Sequence, residues 1–208
     1  TLGDVQDSRA AFFPATIQIV ILIHPYNKLA YLPFMLSSLE LQHYAKDRIR
    51  IHLITERIFY EESYSDAKSS SPSITLSDSE FEILDDRLRQ NEATISLLKL
   101  WARKSRALYN ELELTIANVP LSETLFGDTF SERLSQGNQY WNKERFKLII
   151  DTKNQELYQA FQTWADYVLF MDSDVILVDR YTISNLTTSL QMNEDNMTVI
   201  APLLYSTG

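Results

Sequence analysis

With 208 residues, 45% of them hydrophobic, the chain can bury a substantial core and suits one globular domain. A formal charge of -9 with no Lys/Arg stripe excludes nucleic acid as a partner, because such binding draws its strength from phosphate neutralisation. Four scattered glycines exclude a glycine-rich phosphate cradle, and the absence of cysteine excludes disulfides, a thiolate nucleophile and Cys-based zinc.

The run Ile17 to Ile23 is apolar except for Gln18 and reads as a strand covered on both faces, ending at His24-Pro25-Tyr26-Asn27. From Lys28 to Asp47 the residues Leu29, Leu32, Met35, Leu36, Leu39 and Tyr44 recur at helical spacing, with Pro33 delaying the start. Arg50 to Thr55 alternates as a second strand, which completes a right-handed βαβ unit. Tyr60 to Glu82 is Ser-rich and acidic, and residues 58–90 as a whole are expected to form a flexible insertion. Helical spacing returns between Phe81 and Tyr109, and Glu111 to Ala117 alternates as a third strand. Pro120 to Tyr140 is a mixed excursion, Lys143 to Thr163 a long helix, and Tyr167 to Met171 a further strand. A short helix near Ile183 to Leu190 and a strand-like Met197 to Leu204 close the chain. No stretch reaches the roughly 18 apolar residues of a membrane span. The start at Thr1, without a charged-then-apolar leader, is that of a fragment or mature product. The expected class is therefore α/β, a mostly parallel sheet flanked by helices. It forms a single domain over 1–208 that is incomplete at its C-terminus.

The chemistry concentrates where Asp172-Ser173-Asp174 follows the buried strand, the edge at which open α/β sheets bind ligands. In extended backbone, side chains two apart share a side, so both carboxylates can converge on one Mn²⁺ or Mg²⁺, directly or through water, with Ser173 pointing elsewhere. A hard cation there bridges phosphate oxygens and stabilises a leaving nucleoside diphosphate. A bare Asp-x-Asp also occurs in solvated turns. Here it interrupts nine apolar residues, Tyr167 to Met171 and Val175 to Val178, where two unpaired anions beside a core would be costly. The same motif suits a haloacid-dehalogenase-type phosphatase, with a nucleophilic Asp172 and an acid/base Asp174, but that fold opens with the motif and only 34 residues come after it here.

The segment Trp164-Ala-Asp-Tyr-Val-Leu-Phe-Met-Asp-Ser-Asp-Val, followed by Thr198-Val-Ile-Ala-Pro-Leu-Leu, resembles the procollagen galactosyltransferase family of glycosyltransferase 25 type, including its cerebral endothelial cell adhesion molecule relatives. The likeness extends through Trp141, Arg145-Phe146, Thr55, Leu32-Pro33 and Asn27, and covers most of the chain outside the insertion. It implies a GT-A-like, Rossmann-related fold, UDP-galactose as donor, Mn²⁺ as cofactor, collagen hydroxylysine as acceptor and the endoplasmic reticulum lumen as location. It also implies a second, C-terminal glycosyltransferase region in the full-length protein. Carried over by residue, Asp172 and Asp174 hold the metal, while Tyr26, Asn27, Thr55, Glu56, Asn91, Lys153 and Ser173 join Asp172 in the nucleotide-sugar site. The chain departs from the family pattern at Gln90-Asn91, where the family has Asp-Asn, and at Lys153, where it has Arg. No carboxylate before Gly208 is assigned as the base that activates the acceptor. These departures keep a second function in view, a glycosyltransferase-like module without turnover that serves as scaffold or acceptor-binding arm.

Trp101 and Trp164 read as core residues, while Trp141 fits neither core nor stacking reading better. His24 reads as structural. Asn185-Leu-Thr and Asn196-Met-Thr both match the N-glycosylation sequon.

Overall fold

A computed structural model describes residues 14–24, 29–59, 78–120 and 143–192. Tyr26, Asn27, Trp141, the body of the insertion, the excursion after Pro120, the strand-like Met197 to Leu204 and the Asn196 sequon lie outside the described residues.

Four strands, β1 (Ile17–Ile23), β2 (Ile49–Phe59), β3 (Glu111–Pro120) and β4 (Tyr167–Asp172), form one sheet in the order β3-β2-β1-β4. All pairings are parallel, with Ile17 opposite Ile49 and Tyr167, and Arg50 opposite Glu111. The helices are α1 (Leu32–Glu40), α2 (Asp78–Ser105), α3 (Lys143–Gln162) and α4 (Thr182–Met192). The α/β class expected from the sequence is observed, and the strand order is the start of a Rossmann-type sheet.

Strand parity divides the sheet into two faces. Ile17, Ile19, Ile21 and Ile23 join Ile49, Ile51, Leu53 and Met171 in the main core, against Leu32, Met35, Leu36 and Leu39 of α1, Leu98 of α2 and Ile183 of α4. Side chains as deeply buried as Ile19, Ile21, Leu53 and Met35 each contribute about 1.5–3 kcal/mol of hydrophobic stabilisation. The opposite face, beneath α3, carries a buried polar cluster of Gln18, His52 and Glu156 beside Val20 and Ala160.

The boundaries differ from expectation for identifiable physical reasons. α1 spans only Leu32–Glu40, because Pro33 fits a first helical turn but not a helix interior. β2 continues to Phe59 and α2 starts at Asp78, so residues 78–90, expected as insertion, are helical. Trp164 is not core. It is 87% exposed and occupies the left-handed region at φ 56°. There it closes α3 in a Schellman arrangement: Ala165 N–H donates to the Ala160 carbonyl at 3.0 Å and Trp164 N–H to that of Phe161 at 3.3 Å. A glycine would hold that position with roughly 1 kcal/mol less strain.

Tyr109 is buried against Trp101, with ring centroids 6.1 Å apart, and its hydroxyl has no hydrogen-bond partner among the described residues. Burial, and then the negative charge of Glu40, push its phenol well above the ordinary tyrosine range. The unfolded chain therefore releases this proton first, so the associated stability is intact below about pH 10 and is lost as pH rises beyond it. Tyr109→Phe is expected to be at least as stable as wild type at neutral pH and to lose less stability at alkaline pH. Urea midpoints at neutral pH and about pH 10.5 check this; an unchanged alkaline loss would refute it. Tyr44, also raised by burial, keeps a residual alkaline loss in the variant.

Candidate functional site

The carboxyl edge of the sheet is built around the end of β1. Leu22 pairs with Ile54 on one side and with Asp172 on the other, so Asp172 stands where β4 meets β1. From β1, the order runs through β2 to β3 on one side and jumps to β4 on the other. This is the topological switch at which open α/β sheets form their ligand crevice.

β4 ends at Asp172, and Val175 N–H donates to the Asp172 carbonyl at 3.1 Å, closing a turn. The motif is thus a strand end followed by a turn, not the fully extended segment expected. The separation of side chains holds all the same: Asp172 and Asp174 are exposed, while Ser173 between them is only 3% exposed. The supposed cost of two anions beside a core does not arise, because both carboxylates face solvent. Of the apolar residues after the motif, Val175 and Leu177 pack on the core, whereas Ile176 and Val178 are exposed.

Beyond the turn, residues 177–183 are fastened to the α1 region by two polar residues that sequence patterns did not single out. Buried Ser38 accepts a hydrogen bond from Leu177 N–H at 3.1 Å. Buried Gln42 donates to the Asp179 carbonyl at 3.0 Å and accepts from Ile183 N–H at 3.2 Å. Polar residues on an apolar helix face were the available signal, since a buried amide or hydroxyl must find partners.

Of the other residues assigned to the site, some hold the edge and some face it. Thr55 is 2% exposed, and its hydroxyl donates to the Ile23 carbonyl at 3.0 Å, tying β2 to the end of β1. Asn91 is fully buried. Its amide oxygen accepts from Ile58 N–H at 3.0 Å, and its amide nitrogen donates to the Glu56 carbonyl at 2.7 Å, so it fixes the far end of β2 from beneath. Ser173 likewise turns inward. Glu56 is half-buried and, by strand parity, shares the face of Asp172. The two acids stand on strands either side of β1, roughly 10 Å apart across the sheet. Lys153 of α3 lies over the Phe170 ring, 5.3 Å from its centroid, and Phe170 is two residues before Asp172 on the same face. Asp172, Asp174, Glu56 and Lys153 are therefore gathered at one lip, with Thr55, Asn91 and Ser173 supporting it.

Below the lip lies a buried network. Glu156, 2% exposed, accepts from Gln18 Nε2 at 3.0 Å and from His52 Nδ1 at 2.9 Å. His52 Nε2 meets the Thr115 hydroxyl at 2.8 Å. The helix α3 that carries Lys153 is thereby pinned to β1, β2 and β3. A glutamate three residues after Lys153, on a helix otherwise closing over a sheet, gave no periodic signal of this role.

Two carboxylates are hard oxygen donors suited to Mn²⁺ or Mg²⁺. Among the described residues no three His, Asp or Glu side chains are placed to hold a metal ion together, so a cation held here needs further oxygens from phosphate or water. Such a half-built donor set suits a metal shared with a diphosphate better than a structural metal cage. Two shallow depressions among the described residues, beside Arg106 and Asn110 and beside Phe161 and Trp164, lie at the opposite, amino edge of the sheet, away from these acids.

A family model described as "Glycosyltransferase family 25, N-terminal domain" matches residues 84–208. A glycosyltransferase 25 family member of Anopheles gambiae is 26% identical over 99% of this chain and 26% of its own length. Procollagen galactosyltransferase 2 of Mus musculus is 26% identical over 55% of this chain and 16% of its own. The chain thus spans about a quarter of the insect relative. A solved structure of S. aureus TarS in complex with UDP aligns over 86% of this chain and 33% of its own, with 15% identity and a TM-score of 0.36.

Proposed function

The chain belongs to glycosyltransferase family 25, and from that premise we propose that its carboxyl lip binds UDP-galactose through a divalent cation, Mn²⁺ or Mg²⁺, held by Asp172 and Asp174. The observation that carries this reading is the exposure of both carboxylates at the β1/β4 switch, with Ser173 buried between them. A cation bound there supplies Lewis-acid stabilisation of the charge that builds on the departing UDP. Asp172 and Asp174 offer the oxygens, Lys153 adds one mobile ammonium where a diphosphate lies, and Glu56 offers a hydrogen-bond acceptor across β1 for ribose or uracil. Tyr26 and Asn27 come after β1 in sequence and are assigned to the same nucleotide.

The acceptor in this reading is collagen, in keeping with the name of the procollagen galactosyltransferase relative, and the family resemblance adds hydroxylysine as the acceptor residue and the endoplasmic reticulum lumen as the compartment. Among the described residues no helix is long and apolar enough to cross a membrane. A C-terminal glycosyltransferase region of the full-length protein is the intramolecular partner. The phosphatase reading gives way to family membership.

Calorimetric titration of UDP-galactose with and without Mn²⁺ tests the proposal. Binding is expected only with the metal, and equal binding after chelation would overturn the metal-mediated site. UDP-glucose competing equally would overturn the choice of sugar and leave the site standing. The second reading, a module without turnover, is favoured by Gln90 in place of an acid and by Lys153 in place of a bidentate arginine. Metal-dependent UDP binding by the full-length protein, with no transfer to a collagen acceptor, would select it.

A further inference from the structure

We propose that Asn185 carries an N-linked glycan that is attached before α4 folds. This rests on the lumenal compartment proposed above. The triplet Asn185-Leu186-Thr187 has no part in the lip, and three observations bear on it. Asn185 is exposed, and among the described residues its amide nitrogen makes one long contact, to the Asp179 carboxylate at 3.5 Å. Thr187, by contrast, is buried, and its hydroxyl donates to the Ile183 and Ser184 carbonyls, both at 3.0 Å. The sequon hydroxyl is therefore withdrawn in the folded domain, and a transferase that must engage it can act only on the unfolded segment.

The third observation is position. α4 docks beside the C-terminal end of α1, where the Ser184 hydroxyl donates to the His43 carbonyl at 2.8 Å. Next to it, the Tyr44 hydroxyl donates to the Ala15 carbonyl at 2.6 Å, just before β1 begins. Asn185 thus lies at the amino edge of the sheet, roughly 20 Å from Asp172 along the strands, and a bulky glycan there leaves the lip open. In the reaction, the C1–O bond of a polyprenyl-diphosphate-linked oligosaccharide breaks and a C1–N bond to Asn185 Nδ2 forms. The polyprenyl diphosphate departs, and the amide proton is lost. The secretory machinery supplies the donor.

The test uses full-length protein made in a eukaryotic secretory host, with enzymatic deglycosylation and mapping of asparagines converted to aspartate. Conversion at Asn185 is expected. Asn185→Gln should lose the mass of one glycan and keep metal-dependent UDP-galactose binding. A glycan at Asn196 with none at Asn185 overturns the proposal and spares the compartment; unmodified sequons at both positions overturn both. For the timing, folded protein from bacteria, offered oligosaccharyltransferase and lipid-linked oligosaccharide, should stay unmodified at Asn185, while a peptide spanning 182–190 is modified. Modification of the folded protein would overturn the order of events.

Discussion

The Asp172→Ala/Asp174→Ala variant is expected to lose at least about a hundredfold in Mn²⁺-dependent UDP-galactose affinity, roughly 2.7 kcal/mol, while keeping its fold. Both carboxylates are exposed at the end of β4, so removing them creates no cavity. Surface changes of that kind usually stay within about 0.5 kcal/mol of wild-type stability. In the proposed site, the cation shared with diphosphate would lose both of its protein ligands at once. Asp172→Asn alone should retain part of the binding, since an amide oxygen still donates but without charge. Calorimetry with and without metal, beside a thermal melt, separates these effects. If the double variant binds UDP-galactose as tightly as wild type and the melt is unchanged, the two acids are solvated turn residues and the lip is not a metal site.

Much of this was legible because β1 and β4 are short apolar runs and Asp172-Ser173-Asp174 breaks the second at its end. Periodicity alone thus located the strand, and its end located the acids. The sequence could not reveal which of the other assigned residues face the ligand. Thr55 and Asn91 look like polar strand-end and helix residues, yet each spends its hydrogen bonds on backbone groups of β1 or β2. That outcome depends on where α2 and β2 cross, which no local pattern encodes. Trp164 misled for a related reason. An aromatic residue at helical spacing reads as core, but the helix ends two residues earlier and the Schellman turn swings it outward. Ser38, Gln42, His52 and Glu156 gave no pattern that marked them, and Gln18 stood out only as a break in an apolar strand, because only their meeting in space reveals a framework.

Glu156→Ala is expected to cost about 3–5 kcal/mol, the usual penalty when one partner of a buried pair is removed and the others stay behind. At roughly 2–4 °C per kcal/mol for a chain of this size, the melting temperature should fall by about 10 °C. The reason lies in what is stranded. Gln18 and His52 are buried, and both point hydrogens at the Glu156 carboxylate, with Glu113 the next acid at 4.0 Å from the far nitrogen of His52. Glu156→Gln keeps an acceptor oxygen and should lose less. Because α3 also carries Lys153, three residues away and over Phe170, loosening this anchor should weaken UDP-galactose binding, though less than loss of the two aspartates does. Combining Glu156→Ala with His52→Ala isolates the contact: the second substitution removes a group the first has already orphaned, so the double variant should cost less than the sum of the singles. Additive costs would show that Glu156 and His52 stabilise the fold separately, and that α3 is held over the sheet by its apolar contacts alone.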